Sequence, residues 1–152
     1  MRVILSNDHG GLAVREAIFS ALGSLGAQVY DMGVTSENSV DYPDRAAAAA
    51  RKYLRGGYDF GILICGTGIG ISIAANKIDG IRCALVYDSF SSRLAREHNN
   101  ANFIALGGRM HYHESVEDII KAYATAKFEG GRHVCRVEKI HELEKYGPHE
   151  FQ

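Results

Sequence analysis

The chain has 152 residues, 46% of them hydrophobic and 23% charged, with a formal net charge of −1, the balance of an ordinary soluble globular protein with room for a sizeable core. A charge so near zero removes the electrostatic case for nucleic acid or an anionic membrane surface as a partner. Its three cysteines, Cys65, Cys83 and Cys135, are odd in number and widely spaced. That usage points to free thiols in a reducing compartment and argues against a disulfide framework or a structural zinc site.

In chain order, Val3-Ile4-Leu5 reads as a strand; the apolar run from Met1 is too short for a signal peptide or a membrane span. Polar Ser6-Asn7-Asp8-His9 follows, and Gly10-Gly11 opens a helix whose Val14, Ile18, Ala21, Leu22 and Leu25 share one face. Gly26 stops it, and Ala27-Gln28-Val29-Tyr30 is a second strand. Asp41-Tyr42-Pro43 starts a helix, since proline suits a first turn, and the alanines from Ala46 to Ala50 continue it to Gly56-Gly57. Residues 60–64 and 81–86 read as the third and fourth strands, with a helix near 89–99 after the latter. Phe103-Ile104-Ala105-Leu106 is a fifth strand, and helices are expected over 116–128 and 134–146. Cys83, inside an apolar run, is expected to be core.

No repeat, low-complexity tract or linker interrupts this alternation, so residues 1–152 are expected to form one domain. Strands separated by helices predict an α/β fold: a Rossmann-like three-layer αβα sandwich around a five-stranded parallel sheet. The expected strand order is 2-1-3-4-5, which reverses direction between strands one and three. Ligands in open α/β sheets bind at such a reversal, beyond the carboxyl ends of the strands. Asn7 to Gly11 after strand one and Cys65 to Gly70 after strand three would then face each other across one crevice.

The second loop, Cys65-Gly66-Thr67-Gly68-Ile69-Gly70, places a thiol at the end of a buried strand and the mouth of a glycine-rich turn. A helix start behind it would offer unpaired N–H groups and a positive dipole end, a setting that lowers a cysteine's pKa and holds an anion. The bland alternative is inert packing, the common fate of a buried free cysteine. Known phosphate loops do not fit. Gly70 is followed by Ile71-Ser72, not Lys-Ser/Thr, and Ile71 stands where a dinucleotide fingerprint needs glycine. Ile71 also stands where a cysteine phosphatase would carry arginine. No second cysteine lies nearby to resolve a disulfide in redox chemistry.

Taken together these segments resemble the type B ribose-5-phosphate isomerases, within the sugar-phosphate isomerases that also act on allose 6-phosphate and galactose 6-phosphate. The matching pieces run in order from about Val3 to Val137. They are Asp8-His9, Asp41-Tyr42-Pro43, the stretch from Cys65 to Lys77, Gly80-Ile81-Arg82, Arg96-Glu97-His98-Asn99-Asn100, Gly107-Gly108-Arg109, and Gly130-Gly131-Arg132-His133 with Arg136. The resemblance implies interconversion of ribose 5-phosphate and ribulose 5-phosphate, or, as the alternative, of allose 6-phosphate or another six-carbon sugar phosphate. Such chemistry needs a base for the carbon-2 proton and stabilisers for an enediolate oxyanion.

By resemblance Cys65 is the base and His98 the ring-opening acid. Backbone N–H groups of Gly66, Gly68, Ile69 and Gly70 hold the oxyanion. Asp8 binds a sugar hydroxyl, or caps the following helix, or both. Thr67 bonds a sugar oxygen, polarises Cys65, or caps the next helix; Tyr42 faces the substrate and Asn99 binds a hydroxyl. Arg132 and Arg136, four apart on one helical face, are a phosphate fork or a solvated basic patch, and His9 and Arg109 are further phosphate or substrate contacts. His111 and His113 read as surface residues, and no metal or cofactor is implied.

The resemblance further implies a cytoplasmic homodimer, or dimer of dimers, with active sites shared between chains. Asp8, His9, Tyr42 and Cys65 would come from one subunit and His98, Asn99 and Arg109 from its neighbour, with the helix over about 132–146 at the interface. Its expected metabolic setting is the pentose phosphate route or the breakdown of an allose-type sugar.

Overall fold

The structure, a computed structural model, describes residues 1–147; the last five residues of the expected 1–152 unit lie outside it. Five strands, β1 (Arg2–Asn7), β2 (Gln28–Asp31), β3 (Phe60–Cys65), β4 (Cys83–Leu85) and β5 (Phe103–Gly107), pair in one all-parallel sheet. Between and after them run α1 (Arg15–Ser24), α2 (Tyr42–Leu54), α3 (Ile69–Ala75), α4 (Ser89–Glu97), α5 (Val116–Thr125) and α6 (Arg132–Tyr146). None of these helices is long and apolar enough to cross a membrane.

Side chains alternate along a strand, so a continuous apolar run supplies both faces of the sheet. Val3 and Leu5 of β1, Phe60, Ile62 and Ile64 of β3, and Ile104 and Leu106 of β5 form one core with Ile18 and Leu22 of α1, Ala95 of α4 and Ile119, Ile120 and Tyr123 of α5. Ile4, Leu63, Cys65, Phe103 and Ala105 form the other, against Ala46, Ala49 and Ala50 of α2 and Ile71 and Ala75 of α3. The alanine run of α2 is therefore a close-packing face as well as a helix former. Gly61 serves the same layer, because a Cβ there would fall 2.0 Å from the Phe103 ring.

The strand order is β2-β1-β3-β5-β4, which corrects the expected 2-1-3-4-5. The interior place beside β3 goes to β5, all five of whose residues are buried, while β4 is three residues long and only half covered. A short strand is also the safer edge. The outward N–H and C=O of Cys83 are taken by the side chain of Asn76, whose Oδ1 accepts and Nδ2 donates at 2.8 Å each. One amide thus stands in for the missing neighbour strand. The reversal between β1 and β3 is as expected.

Local boundaries differ in three places. The turn after β1 is a 3-10 turn over His9–Val14 before α1 begins, capped by the Asp8 carboxylate on the Gly10 N–H at 2.8 Å. α5 ends at Thr125, where Ala126 turns extended. β4 is half the length of the apolar run 81–86 that contains it.

Candidate active site

Parallel strands end on the same side, so the turns after β1, β3 and β5 meet at one edge of the sheet. Glycine lets them touch. A Cβ on Gly10 would lie 2.8 Å from the Gly66 nitrogen, and one on Gly108 would lie 2.3 Å from the Gly10 carbonyl oxygen. Gly108 N–H donates to the Cys65 carbonyl at 2.8 Å and Arg109 N–H to that of Gly66 at 3.0 Å, locking the third turn to the second.

Cys65 is the last residue of β3, 4% exposed, with its sulfur at this junction. Gly68, held at φ 78, points its N–H at Sγ, 3.2 Å away. Cys83 lies in the core without such a donor, and burial pushes its thiol up to about 12, as expected of a core cysteine. Of the four N–H groups expected to face an oxyanion, Gly68 is engaged by Cys65, and Ile69 donates to Thr67 Oγ1 at 3.3 Å. That leaves Gly66 and Gly70.

The other candidate residues of this edge lie on the turns beside that of Cys65. Asp8 is buried; one carboxylate oxygen caps Gly10, and no described residue hydrogen-bonds the second. Tyr42, first residue of α2, lays its ring over Gly70, where a Cβ would come within 2.6 Å of it. His9 Nδ1 accepts from the Val40 N–H at 3.3 Å, which leaves Nε2 as the nitrogen that can donate into the cleft. That cleft is lined by His9, Glu37, Gly108 and Arg109. The Arg109 side chain lies over Gly66 of its own chain. Within one chain it therefore lies at the Cys65 edge, where the resemblance expects the neighbouring subunit to supply it.

The remaining candidates lie elsewhere. α4 carries the chain from the carboxyl end of β4 back to the start of β5, so His98, its C-cap, sits at the opposite edge of the sheet from Cys65. His98 stacks on His133 of α6, ring centroids 4.2 Å apart. Arg132 opens that helix and Arg136 lies one turn on, both exposed. Asn99 lines a separate cavity with Arg82 and, from α6, Ile140 and Leu143. The candidate residues thus fall into two groups on opposite edges of one chain. Sequence reasoning passed over Glu129, whose carboxylate lies 3.7 Å from both His98 and His133; its i,i+4 spacing from His133 was the available signal.

The model of the family described as Ribose/Galactose Isomerase matches residues 3–140. The chain is 41% identical to the ribose-5-phosphate isomerase B of Escherichia coli over 144 residues, 95% of this chain and 97% of that one. It is similar to the solved ribose-5-phosphate isomerase B of Clostridium thermocellum, with TM-score 0.90, 46% identity, and coverage of 95% and 98% of the two chains. The type B ribose 5-phosphate isomerase of Leishmania infantum gives TM-score 0.88 and 46% identity, over 95% and 96%.

Proposed function

The chain belongs to the ribose/galactose isomerase family, and from that premise we propose that it interconverts ribose 5-phosphate and ribulose 5-phosphate. The observation that carries the reading is the Cys65 sulfur, buried at a strand end and met by the Gly68 N–H at 3.2 Å. Cys65 takes the proton from carbon 2 of the open sugar and returns it at carbon 1, while the hydroxyl proton on oxygen 2 passes to oxygen 1. The N–H groups of Gly66 and Gly70 meet the negative oxygen of the enediolate between the two steps. Asp8 and Tyr42 hold sugar hydroxyls, and His9 and Arg109 one side of the phosphate.

Ribose 5-phosphate reaches the site mainly as a ring. His98 of a second copy opens it, with Asn99 on a hydroxyl and Arg132 and Arg136 on the phosphate. Support for a shared site comes from the separation of the two half-sites. Exposed apolar residues lie on both: Ile69 and Ile73 near the thiol, Ile140 and Leu143 on α6.

The experiment is formation of ribulose 5-phosphate from ribose 5-phosphate by the purified, reduced protein, with Cys65→Ala alongside. Activity in the parent and a loss of about a thousandfold or more in the variant are expected. An inactive parent overturns the substrate assignment and moves the assay to allose 6-phosphate; an active variant overturns Cys65 as base.

A further inference from the structure

His98 does not stand alone at its edge of the sheet. The segment after α5 returns to it, and the Glu129 N–H donates to the carbonyl of Glu97, the residue before His98, at 3.0 Å. A turn at Gly130 and Gly131, with φ 67 and 53, then sets His133 against the His98 ring, the two planes within 10° of parallel. The Glu129 Oε2 lies 3.7 Å from Nε2 of each imidazole.

Three such donors within 4.8 Å of one another would also describe a divalent-cation site. Arg132 argues against that. Its Nε–H donates to His133 Nε2 at 3.5 Å, the lone pair a metal would need. The charges of Arg132 and Arg136 also act on the same ring.

The same donation settles which proton Glu129 can hold. His133 accepts at Nε2, so it has no hydrogen there to give. Desolvation first, then the charges of His98, Arg132 and Arg136, hold its pKa below the usual imidazole range, with Glu129 pulling the other way. His133 is therefore a stacking partner for the His98 ring, with its Nε2 turned to the Arg132 donor. The N–H left for the carboxylate is that of His98 Nε2.

We propose that Glu129 is a positioning residue for His98: it keeps a proton on Nε2, pins the ring against His133, and leaves Nδ1 as the nitrogen that works on the sugar. The inference rests on the ring-opening role proposed for His98. Nδ1 then takes the proton of the anomeric hydroxyl and passes it to the ring oxygen as the carbon 1–ring oxygen bond breaks and the aldehyde forms. The 3.7 Å contact closes to a hydrogen bond when substrate fills the site, as loose catalytic contacts do in unliganded enzymes. The carboxylate plays the part a carboxylate or carbonyl usually plays behind a working imidazole, fixing its tautomer through the opposite nitrogen.

The test uses the two directions of the reaction on the full-length protein. Ribulose 5-phosphate, its carbon 5 oxygen esterified, cannot close a furanose and arrives open, so only the ribose direction needs ring opening. Glu129→Gln should lose about tenfold to a hundredfold in kcat from ribose 5-phosphate with KM within about twofold, yet lose under about threefold in initial rate from ribulose 5-phosphate, whose product can leave as the open aldehyde and close in solution. Glu129→Asp should recover part of the loss. Nitrogen-15 histidine spectra should show His98 protonated at Nε2 in the parent and shifted towards Nδ1 in Glu129→Gln. Equal losses in both directions, or an unchanged His98 spectrum, overturn the inference. His98→Ala separates it from its premise: full activity from ribose 5-phosphate removes the ring-opening role itself. A selective loss in His98→Ala that Glu129→Gln does not share removes only the role of Glu129.

Discussion

A methyl group at Gly68 has nowhere to go. It would fall 2.6 Å from Leu85 Cδ1 and 2.8 Å from the Leu106 carbonyl carbon, on a backbone at φ 78 that side chains resist. Gly68→Ala should therefore cost about 1–3 kcal/mol of stability in a denaturant melt. It should also lower kcat by more than about tenfold, because the displaced N–H is the one aimed at Cys65. A variant as active as the parent would show that this donor does not matter to the chemistry. At this scale the sequence was informative where function is local. Cys65 and its glycines lie within a few residues of one another, and so do Asp8 and the Gly10 that it caps. Arg109 was legible as a phosphate or substrate contact, but its place over Gly66 was not. Its contact with Gly66 depends on the pairing of Cys65 with Gly107 across β3 and β5, a long-range register that no local pattern specifies.

Elements show the same division between local and distant causes. All five strands and all six helices were legible from apolar periodicity and from proline and glycine punctuation, whereas the order of the last two strands was not. Apart from Arg82, residues 81–86 look as apolar as residues 103–106. What sends the former to the edge is its short pairing and the Asn76 amide that closes its outer side. Removing that amide strands an N–H and a C=O that are partly buried. Asn76→Ala should cost about 1–3 kcal/mol, which for a chain of this size lowers Tm by roughly 2–4 °C per kcal/mol. Scanning calorimetry checks it, and an unchanged Tm would mean that water replaces the amide at no cost. Asn76→Asp keeps the acceptor but loses the donor, and should fall between the two.

For the whole molecule, the distance between the half-sites makes a quantitative statement about mixing. Cys65→Ala and His98→Ala chains should each be inactive from ribose 5-phosphate. Unfolded together and refolded as two-fold dimers, half of the pairs are mixed and each mixed pair has one intact site of two, so about a quarter of parent activity should return. No recovery, with mixed dimers verified by mass, would place a complete site within one chain. The order β2-β1-β3-β5-β4 has a further consequence, for the time course of folding. β5 inserts between two strands made before it, so β4 has no partner until residues beyond 103 have arrived and docked on β3. The hypothesis is that β4 joins last, after the rate-limiting step. Ala84→Gly, in the middle of β4, should then cost about 1 kcal/mol and spend it on faster unfolding, leaving the refolding rate unchanged. A slowed refolding limb would put β4 in the nucleus instead. A nascent chain halted near residue 100 would hold the open flank of β3 bare. That flank is fully buried in the finished sheet, so the last third of synthesis is the interval in which this protein is most exposed to pairing with the wrong strand.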